Sequence, residues 1–151
     1  MKPTLIVLVA ALAGACGGGG GSGPSTATKN LANFEGAAWT GPLTVTQNCA
    51  GNVATAQGQA SITLLPGSDT DLQFSTLPGC TFKFNVSGNT ATLANGPVSC
   101  SGSDQNGPFT TTVTRYTLST ADGHSMSVDT AATVLTGGQN CSLALAGTLK
   151  R

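Results

Sequence analysis

The sequence predicts an all-β domain, either an antiparallel up-and-down barrel of about eight or nine strands or, alternatively, a β-sandwich. From Trp39 onward apolar and polar residues alternate with a period of two, which is typical of strands with one buried face. Turn signals such as Pro66-Gly67, Asp122-Gly123 and Gly137-Gly138 separate the alternating runs, because these residue types favour tight turns. Many short strands at such spacing indicate a barrel or a sandwich.

The alternation identifies the residues that should face the interior. Phe82, Phe84 and Val86 share one parity, with polar residues at the intervening positions, and Leu143 and Leu145 behave in the same way in the last strand. Side chains of one parity lie on one face of a strand. We therefore predict a core that contains Trp39, Phe82, Phe84, Leu143 and Leu145.

The second predicted strand differs, because small residues occupy its inward positions: Ala54, Ala56, Gly58 and Ala60. Small side chains either leave room for a ligand inside the sheet or allow two parts of the sheet to pack closely. In a domain of this size we expect close packing to be the more common reason. A cavity of roughly 300 Å³ or more beside these residues would favour ligand binding instead.

A short helical turn is predicted before the first strand. Asn30 is placed to cap residues 31–35, and Gly36 is placed to end the turn. The order that follows, Gly36-Ala37-Ala38-Trp39 and then a strand, resembles the start of lipocalin-like β-barrels. That family has one residue between Gly and Trp where this chain has two. The resemblance implies a barrel and does not imply a ligand.

Residues 1–15 are predicted to be a signal peptide. Lys2 supplies a positive charge, and an almost unbroken apolar run extends from Thr4 to Ala13. About ten apolar residues suit the core of a signal peptide and are too few to cross a bilayer as a helix. A plain secretory signal with an incidental cysteine at position 16 is the alternative interpretation.

The segment Leu12-Ala13-Gly14-Ala15-Cys16 resembles the lipobox of bacterial lipoproteins. The resemblance implies cleavage before Cys16 and lipidation of its thiol, although Ala13 stands where that family usually has Leu. Residues 16–29 contain five consecutive glycines and are predicted to be a flexible tether. By analogy with enterobacterial sorting, Gly17 favours the outer membrane over the inner membrane. The expected location is the cell envelope, and residues 30–151 form a single β domain.

The four remaining cysteines predict two disulfides, because an even number in an exported domain indicates a disulfide framework. Cys49 ends the first strand and Cys141 begins the last, and the same Gln-Asn-Cys sequence surrounds both. Cys80 and Cys100 flank the hairpin that begins at Phe82. We predict the pairs Cys49–Cys141 and Cys80–Cys100, and we expect the first pair to close the sheet on itself.

Few residues of this chain have side chains suited to catalysis, metal binding or nucleic-acid binding. Charged residues make up 8% of the chain, and the formal net charge is zero, so no basic surface favours nucleic-acid binding. His124, the only histidine, follows a turn and is expected to be solvated. Asp69 and Asp71 could contribute to a calcium site but fit a solvated turn better. Arg115 is expected to point outward, because burial of an unpaired charge is costly.

The sequence therefore predicts a membrane-anchored bacterial lipoprotein with no enzymatic activity, no metal and no cofactor. The first hypothesis for its function is a structural or interaction module, whose partner the sequence does not identify. The alternative is a small barrel that binds an apolar ligand. Both keep the membrane as a partner through the lipid on Cys16.

Overall fold

The computed structural model describes residues 28–76, 80–104 and 107–151. These residues form a short 3-10 helical turn and ten strands in one antiparallel sheet. The all-β class and the antiparallel pairing are therefore confirmed. The helical turn is Leu31–Asn33, and the strands are β1 (Trp39–Cys49), β2 (Asn52–Ile62), β3 (Leu65–Pro66), β4 (Leu72–Ser75), β5 (Thr81–Ser87), β6 (Thr90–Leu93), β7 (Val98–Asp104), β8 (Gly107–Ser119), β9 (Ser125–Thr136) and β10 (Gln139–Lys150).

The sheet is not closed into a barrel. Its strands follow the order β2-β1-β10-β9-β8-β6-β5-β4-β3, so that β2 and β3 are the two edges. β1 and β10 do pair, as predicted, but the opening lies elsewhere in the sheet. β2 has eleven residues, whereas β3 has only Leu65 and Pro66. Because proline has no amide N–H to donate, β3 is a poor partner for β2.

The strand count is ten instead of eight or nine because several strands are very short. β3, β4 and β6 have two to four residues each, which is too few for a period of two to be recognised. β8 also has two partners on one side, since its first half pairs with β7 and its last residues pair with β6. An irregularity between Val113 and Arg115 shifts its register with β9, as the parity change at this point predicts.

One end of the sheet, which we call the closed end, is tightly packed. It contains Trp39 at the start of β1, Leu149 near the end of β10 and Met126 near the start of β9, and all three are fully buried. The Trp39 indole N–H donates a hydrogen bond of 2.8 Å to the carbonyl oxygen of Phe34. Phe34 is itself fully buried, so the segment before β1 covers this end of the sheet.

Arg151 fastens the helical turn to the closed end. Its guanidinium donates hydrogen bonds to the carbonyl oxygens of Glu35 and Gly123, and a further one of 3.2 Å to that of Ala32. The same group lies 4.6 Å from the ring centroid of Trp39, a distance suited to a cation–π interaction. The C-terminal residue therefore helps to close the sheet at this end.

The helical turn is shorter than predicted. It covers Leu31–Asn33 instead of residues 31–35, and the Asn30 side chain does not cap it. The Asn30 amide instead donates a hydrogen bond of 2.6 Å to the Asn89 side chain. The turn ends at Asn33 with Phe34 as its C-cap, so the prediction that Gly36 ends it is wrong. Gly36 follows with a φ of +108°, which glycine adopts readily.

The opposite end of the sheet, which we call the open end, contains both disulfides. The register places Cys49 opposite Cys141, and the row continues through the neighbouring strands to Cys100 on β7. One row across five strands therefore contains the first bond and the Cys100 half of the second. The row comprises Cys49, Cys141, Val134, Thr111 and Cys100.

Candidate ligand-binding site

The inward face of the sheet encloses a cavity of about 110 Å³ between the closed-end core and the row of cysteines. Residues from seven segments line it, and most of them are apolar. They are Leu43, Val45, Gln47, Gly58, Gln59, Ala60, Ser61, Ile62, Phe74, Thr76, Phe82, Thr111, Val113, Tyr116, Thr130, Ala132, Val134, Leu143 and Leu145.

The predicted core residues divide between the closed-end core and this cavity. Trp39, Phe82 and Phe84 are at most 4% exposed, which confirms their prediction. Leu143 and Leu145 face inward as predicted, but they are only partly buried and line the cavity. The period of two therefore fixes which face they occupy, whereas the degree of burial depends on what lies opposite.

The small residues of β2 border the cavity at two positions. Gly58 and Ala60 line it, and both are paired through the β1–β2 register with inward-facing positions of the sheet. Close packing was the expected role for these residues, and the space beside these two positions is smaller than the roughly 300 Å³ that was expected to favour ligand binding. The volume is below the roughly 300 Å³ of a typical small-molecule pocket and is suited to a group of about one ring.

The cavity reaches the edge of the sheet along β2. Five consecutive residues, Gly58–Ile62, line it, although alternate side chains of a strand point to opposite faces. The edge of β2 itself must therefore border the cavity. Phe74 and Thr76, at and after the end of β4, line it from the other side. We call this gap between β2 and the end of β4 the seam.

Two threonine hydroxyl groups are buried at the cavity. Thr130 is 3% exposed and its side chain interacts with the Tyr116 hydroxyl, whereas the Oγ1 atom of Thr76 is buried without a partner. A buried hydroxyl group without a partner costs about 1–3 kcal/mol of stability. Such groups are rare in folded proteins and are therefore informative where they occur.

Tyr116 forms the aromatic wall of the cavity. Its ring makes edge-to-face contacts with Phe74, Phe82 and Phe84 at centroid distances of 5.4–5.6 Å. Burial raises the pKa of Tyr116, and a hydrogen bond with the Thr130 side chain acts on that pKa in the opposite direction. The phenol is therefore neutral and pairs with the hydroxyl group of Thr130.

Both predicted cysteine pairs are brought together at the open end. The Cα atoms of Cys49 and Cys141 are 4.4 Å apart and those of Cys80 and Cys100 are 5.4 Å apart, and a disulfide joins each pair. The first bond links neighbouring strands within the sheet. It does not close the sheet, contrary to expectation, because the free edges are β2 and β3.

The two aspartates considered for calcium are each paired with a lysine. Asp69 lies 2.7 Å from the Lys83 ammonium, and Asp71 lies 2.8 Å from that of Lys29. The hydrogen bond from Lys83 is the main cause that lowers the pKa of Asp69. Across the described ranges no group of three or more His, Cys, Asp and Glu residues is arranged to hold a metal ion.

The remaining polar candidates lie on the outer surface. Arg115 points outward as predicted and pairs with Asp129 at 3.0 Å. His124 is exposed after its turn, where the Asp122 carboxylate accepts hydrogen bonds from the backbone N–H groups of His124 and Ser125. These hydrogen bonds lower the pKa of Asp122. Neither His124 nor Arg115 lines the cavity.

Comparison of this chain with known proteins found no matching protein family, curated protein or solved structure. Among residues 28–76, 80–104 and 107–151, no helix is long and apolar enough to cross a membrane. The predicted signal peptide, Cys16 and the tether up to residue 27 lie outside the described residues.

Sequence reasoning missed three of the polar residues at the cavity: Thr76, Tyr116 and Thr130. A signal existed for Thr130, since it shares its parity with Val128, Ala132 and Val134 and is a polar residue in an inward row. Tyr116 is the only tyrosine. Because the alternation changes parity at Arg115, the sequence did not show which face of the sheet the Tyr116 side chain occupies. Thr76 follows the four-residue strand β4, for which the pattern is too short to assign a face.

Proposed function

We propose that this chain is a lipid-anchored protein of the bacterial cell envelope that binds a small apolar molecule in the cavity of its sheet. The observation that carries the binding role is the cavity itself, which Gly58 and Ala60 leave open. Leu143 and Leu145 remain partly buried beside it, so apolar surface there is available to a ligand. Burial of that surface against an apolar molecule would be favourable.

We infer further that the open sheet is an incompletely closed barrel and not a sandwich. β2 and β3 are the two edges of the sheet, yet only Thr63 and Leu64 separate them in the chain. Two residues span at most about 11 Å between the strand ends, which supports a sheet that curls until its edges adjoin. The cavity is then the interior of the curl, which agrees with the barrel that the lipocalin-like start at Gly36 and Trp39 implies.

The anchor rests on the sequence of the leader, where Ala13-Gly14-Ala15-Cys16 resembles a lipobox. The structure adds the point at which the tether joins the domain. The Gly88 backbone N–H donates a 3.1 Å hydrogen bond to Thr28, and the Asn30 N–H donates one of 3.2 Å to Gly88. Gly88 lies at the closed end, because its hairpin adjoins Ser119, which pairs with Ser127 near Leu149. The predicted tether would thus join the domain at the closed end.

Fractionation of bacteria that express the wild type and Cys16→Ala tests the anchor. We expect the wild type in the membrane fraction, with the outer membrane favoured by Gly17, and the variant outside it. Equal recovery of both proteins as soluble periplasmic protein would contradict lipidation and leave a plain secretory signal.

Titration with toluene tests the binding role. The Cys16→Ala chain is the protein to use, because neither acyl chains nor detergent then compete for the cavity. We expect saturable binding that is lost in Ala60→Leu, whose longer side chain fills the space. Ala144→Leu is the matched control, since Ala144 is exposed on the outer face of β10. Absence of toluene binding, or equal effects of the two substitutions, would contradict a ligand role for the cavity.

A further inference from the structure

β2 is a long, regular strand with one unpaired edge. It pairs with β1 along all of its eleven residues, Asn52–Ile62, without an irregularity. Its other side has no strand beside it, and among the described residues no further segment forms a backbone hydrogen bond with it. Because the N–H and C=O groups of a strand point alternately to its two sides, about half of them are available at this edge.

The β2 edge lacks the features that usually prevent strand pairing, which are short length, bulges, charged residues and proline. β2 contains no charge and no proline, and the seam separates it from Phe74 and Thr76. The opposite edge, β3, has only two residues, and one of them is Pro66. β7 also pairs with a single strand, but the Cys80–Cys100 bond joins its other side to the segment before β5. β2 is therefore the edge suited to pairing with a further strand.

The order of residues in β2 identifies the strand that fits this edge. The sequence Thr55-Ala56-Gln57-Gly58-Gln59-Ala60-Ser61 reads almost the same in both directions, with Gly58 at its centre. Two such strands, antiparallel and related by a twofold axis at Gly58, place like residues opposite each other on the same face of the sheet. The pairs are Gln57 with Gln59, Ala56 with Ala60, and Thr55 with Ser61 of the second copy.

The side chains of this pair are compatible on both faces of the sheet. On the outer face the glutamines are exposed, and each amide both donates and accepts hydrogen bonds. Serine and threonine hydroxyls already form cross-strand pairs elsewhere in this sheet, at 2.9 Å between Ser99 and Thr112 and at 3.1 Å between Ser101 and Thr110. On the inner face alanine and glycine are too small to collide. β2 has no charge that would repel the second copy.

We propose that two copies of this chain associate through β2, so that their sheets join into one antiparallel sheet with a twofold axis at Gly58. The same edge is used by both copies, so the assembly ends at the dimer. Seven residues of each strand meet, fewer than the roughly 20–30 residues on each side of a stable interface, so the dimer is weak in solution. The proposed lipid anchor would raise the effective concentration of copies on one membrane. The association does not depend on the ligand role of the cavity.

Sedimentation velocity of the Cys16→Ala chain over a range of concentrations tests the association without detergent. We expect a dimer whose fraction rises with concentration. In Gln57→Lys/Gln59→Lys each lysine lies opposite a lysine of the second copy, and we expect the dissociation constant to rise about tenfold. Ala144→Lys/Ala146→Lys is the matched control, because it adds the same charge at exposed positions of β10, which has strands on both sides. The control should dimerise as the parent does.

A mixture of two variants tests whether one β2 edge meets the other. Gln57→Glu/Gln59→Glu should dimerise as weakly by itself as the lysine variant, because like charges again lie opposite each other. An equal mixture of the two variants places lysine opposite glutamate. We expect the mixture to dimerise at least as well as the parent, which also shows that both variants are folded.

Each of the other outcomes would overturn the proposal. A parent chain that is monomeric up to about 1 mM does not pair through this edge. A lysine variant that dimerises like the parent, or a β10 control that is weakened equally, would assign the association to another surface. If the two charged variants stay monomeric when mixed, the two β2 edges do not face each other. Toluene binding is unaffected by these results, because a monomer contains the whole cavity.

Discussion

The two ends of the sheet are built differently although the same strands run through both. On β10, Leu149 at the closed end is fully buried, whereas Leu145 and Leu143, on the same face nearer the open end, are only partly buried. Trp39 and Arg151 cover the closed end. The difference shows that one alternating pattern produces either a packed core or a cavity wall, depending on what lies opposite.

The open end has less apolar packing than the closed end and contains both disulfides. Its buried apolar cluster is small and consists of Phe109, Val134 and Cys141, while Cys49, Cys141 and Cys100 lie in one row of the sheet. Phe109 packs over Gly102, where a Cβ atom would lie 2.7 Å from the ring. A cavity removes apolar contacts from an end of the molecule, and cross-links of the chain can offset that loss.

The largest expected effect is the loss of stability on removal of a disulfide, and we expect it to differ between the two bonds. Removal of Cys49–Cys141 by double substitution to Ala should lower the free energy of unfolding by about 4.6 kcal/mol, because the bond closes a loop of 92 residues. Removal of Cys80–Cys100, which closes a loop of 20 residues, should lower it by about 3.3 kcal/mol. Urea unfolding of both double variants measures this order. The reverse order would show that local packing, and not chain entropy, governs the open end.

The next expected effect compares two leucines on one strand. Leu149→Ala at the closed end should cost about 2–5 kcal/mol, as for other fully buried leucines. Leu145→Ala should cost clearly less, because Leu145 already borders open space and is partly exposed. Urea unfolding provides the measurement, and each variant is the other's control. Equal losses would mean that the cavity is closed in solution.

A smaller effect concerns the pH dependence of the closed end. Burial raises the pKa of Asp71, but hydrogen bonds from Lys29 and from the Val86 backbone N–H outweigh it, so the pKa is lowered from the ordinary 3.8. A lowered folded-state pKa contributes stability at pH values above 3.8, which is lost as the pH falls through the lower pKa of the folded state. We expect Asp71→Asn to be less stable than the wild type at pH 7.

The same comparison at acid pH provides the check. Stability of the wild type should fall more steeply than that of Asp71→Asn between about pH 5 and pH 3, because only the wild type retains this carboxylate. Thermal unfolding at several pH values measures both slopes. Parallel curves would show that the Lys29–Asp71 pair does not contribute to the stability of the closed end.

The smallest effect lies in the β1–β2 turn at the open end. Ala50 has a φ of +50°, a conformation that is unfavourable for a residue with a Cβ atom. Ala50→Gly should therefore raise the free energy of unfolding by up to about 1 kcal/mol. Gly51→Ala is the control: Gly51 has a φ of +88° and open space around it, so any loss comes from backbone strain. Stabilisation by both substitutions would contradict this assignment.

Much of the fold could be predicted from local pattern. The period of two placed Phe82, Phe84 and Trp39 in the core, and the repeated Gln-Asn-Cys sequence identified the pair Cys49–Cys141. These two predictions succeed because side-chain direction and cysteine chemistry are local properties. The parity change at Arg115 likewise indicated the bulge in β8.

The openness of the sheet and the existence of the cavity could not be predicted in this way. Closure depends on whether two distant edges match in length, and here β3 has two residues against eleven in β2. The cavity depends on the distance between Ala60 and residues on β4 and β5, which no alternation encodes.

The position of both disulfides at the open end has a consequence for where the protein can work. In a compartment where thiols are kept reduced, Cys49–Cys141 and Cys80–Cys100 would open together, and both lie beside the cavity. The closed end contains neither bond, so its packing does not depend on the redox potential. Under reducing conditions the protein would thus lose its cross-links at the open end, while the closed end would keep its packing.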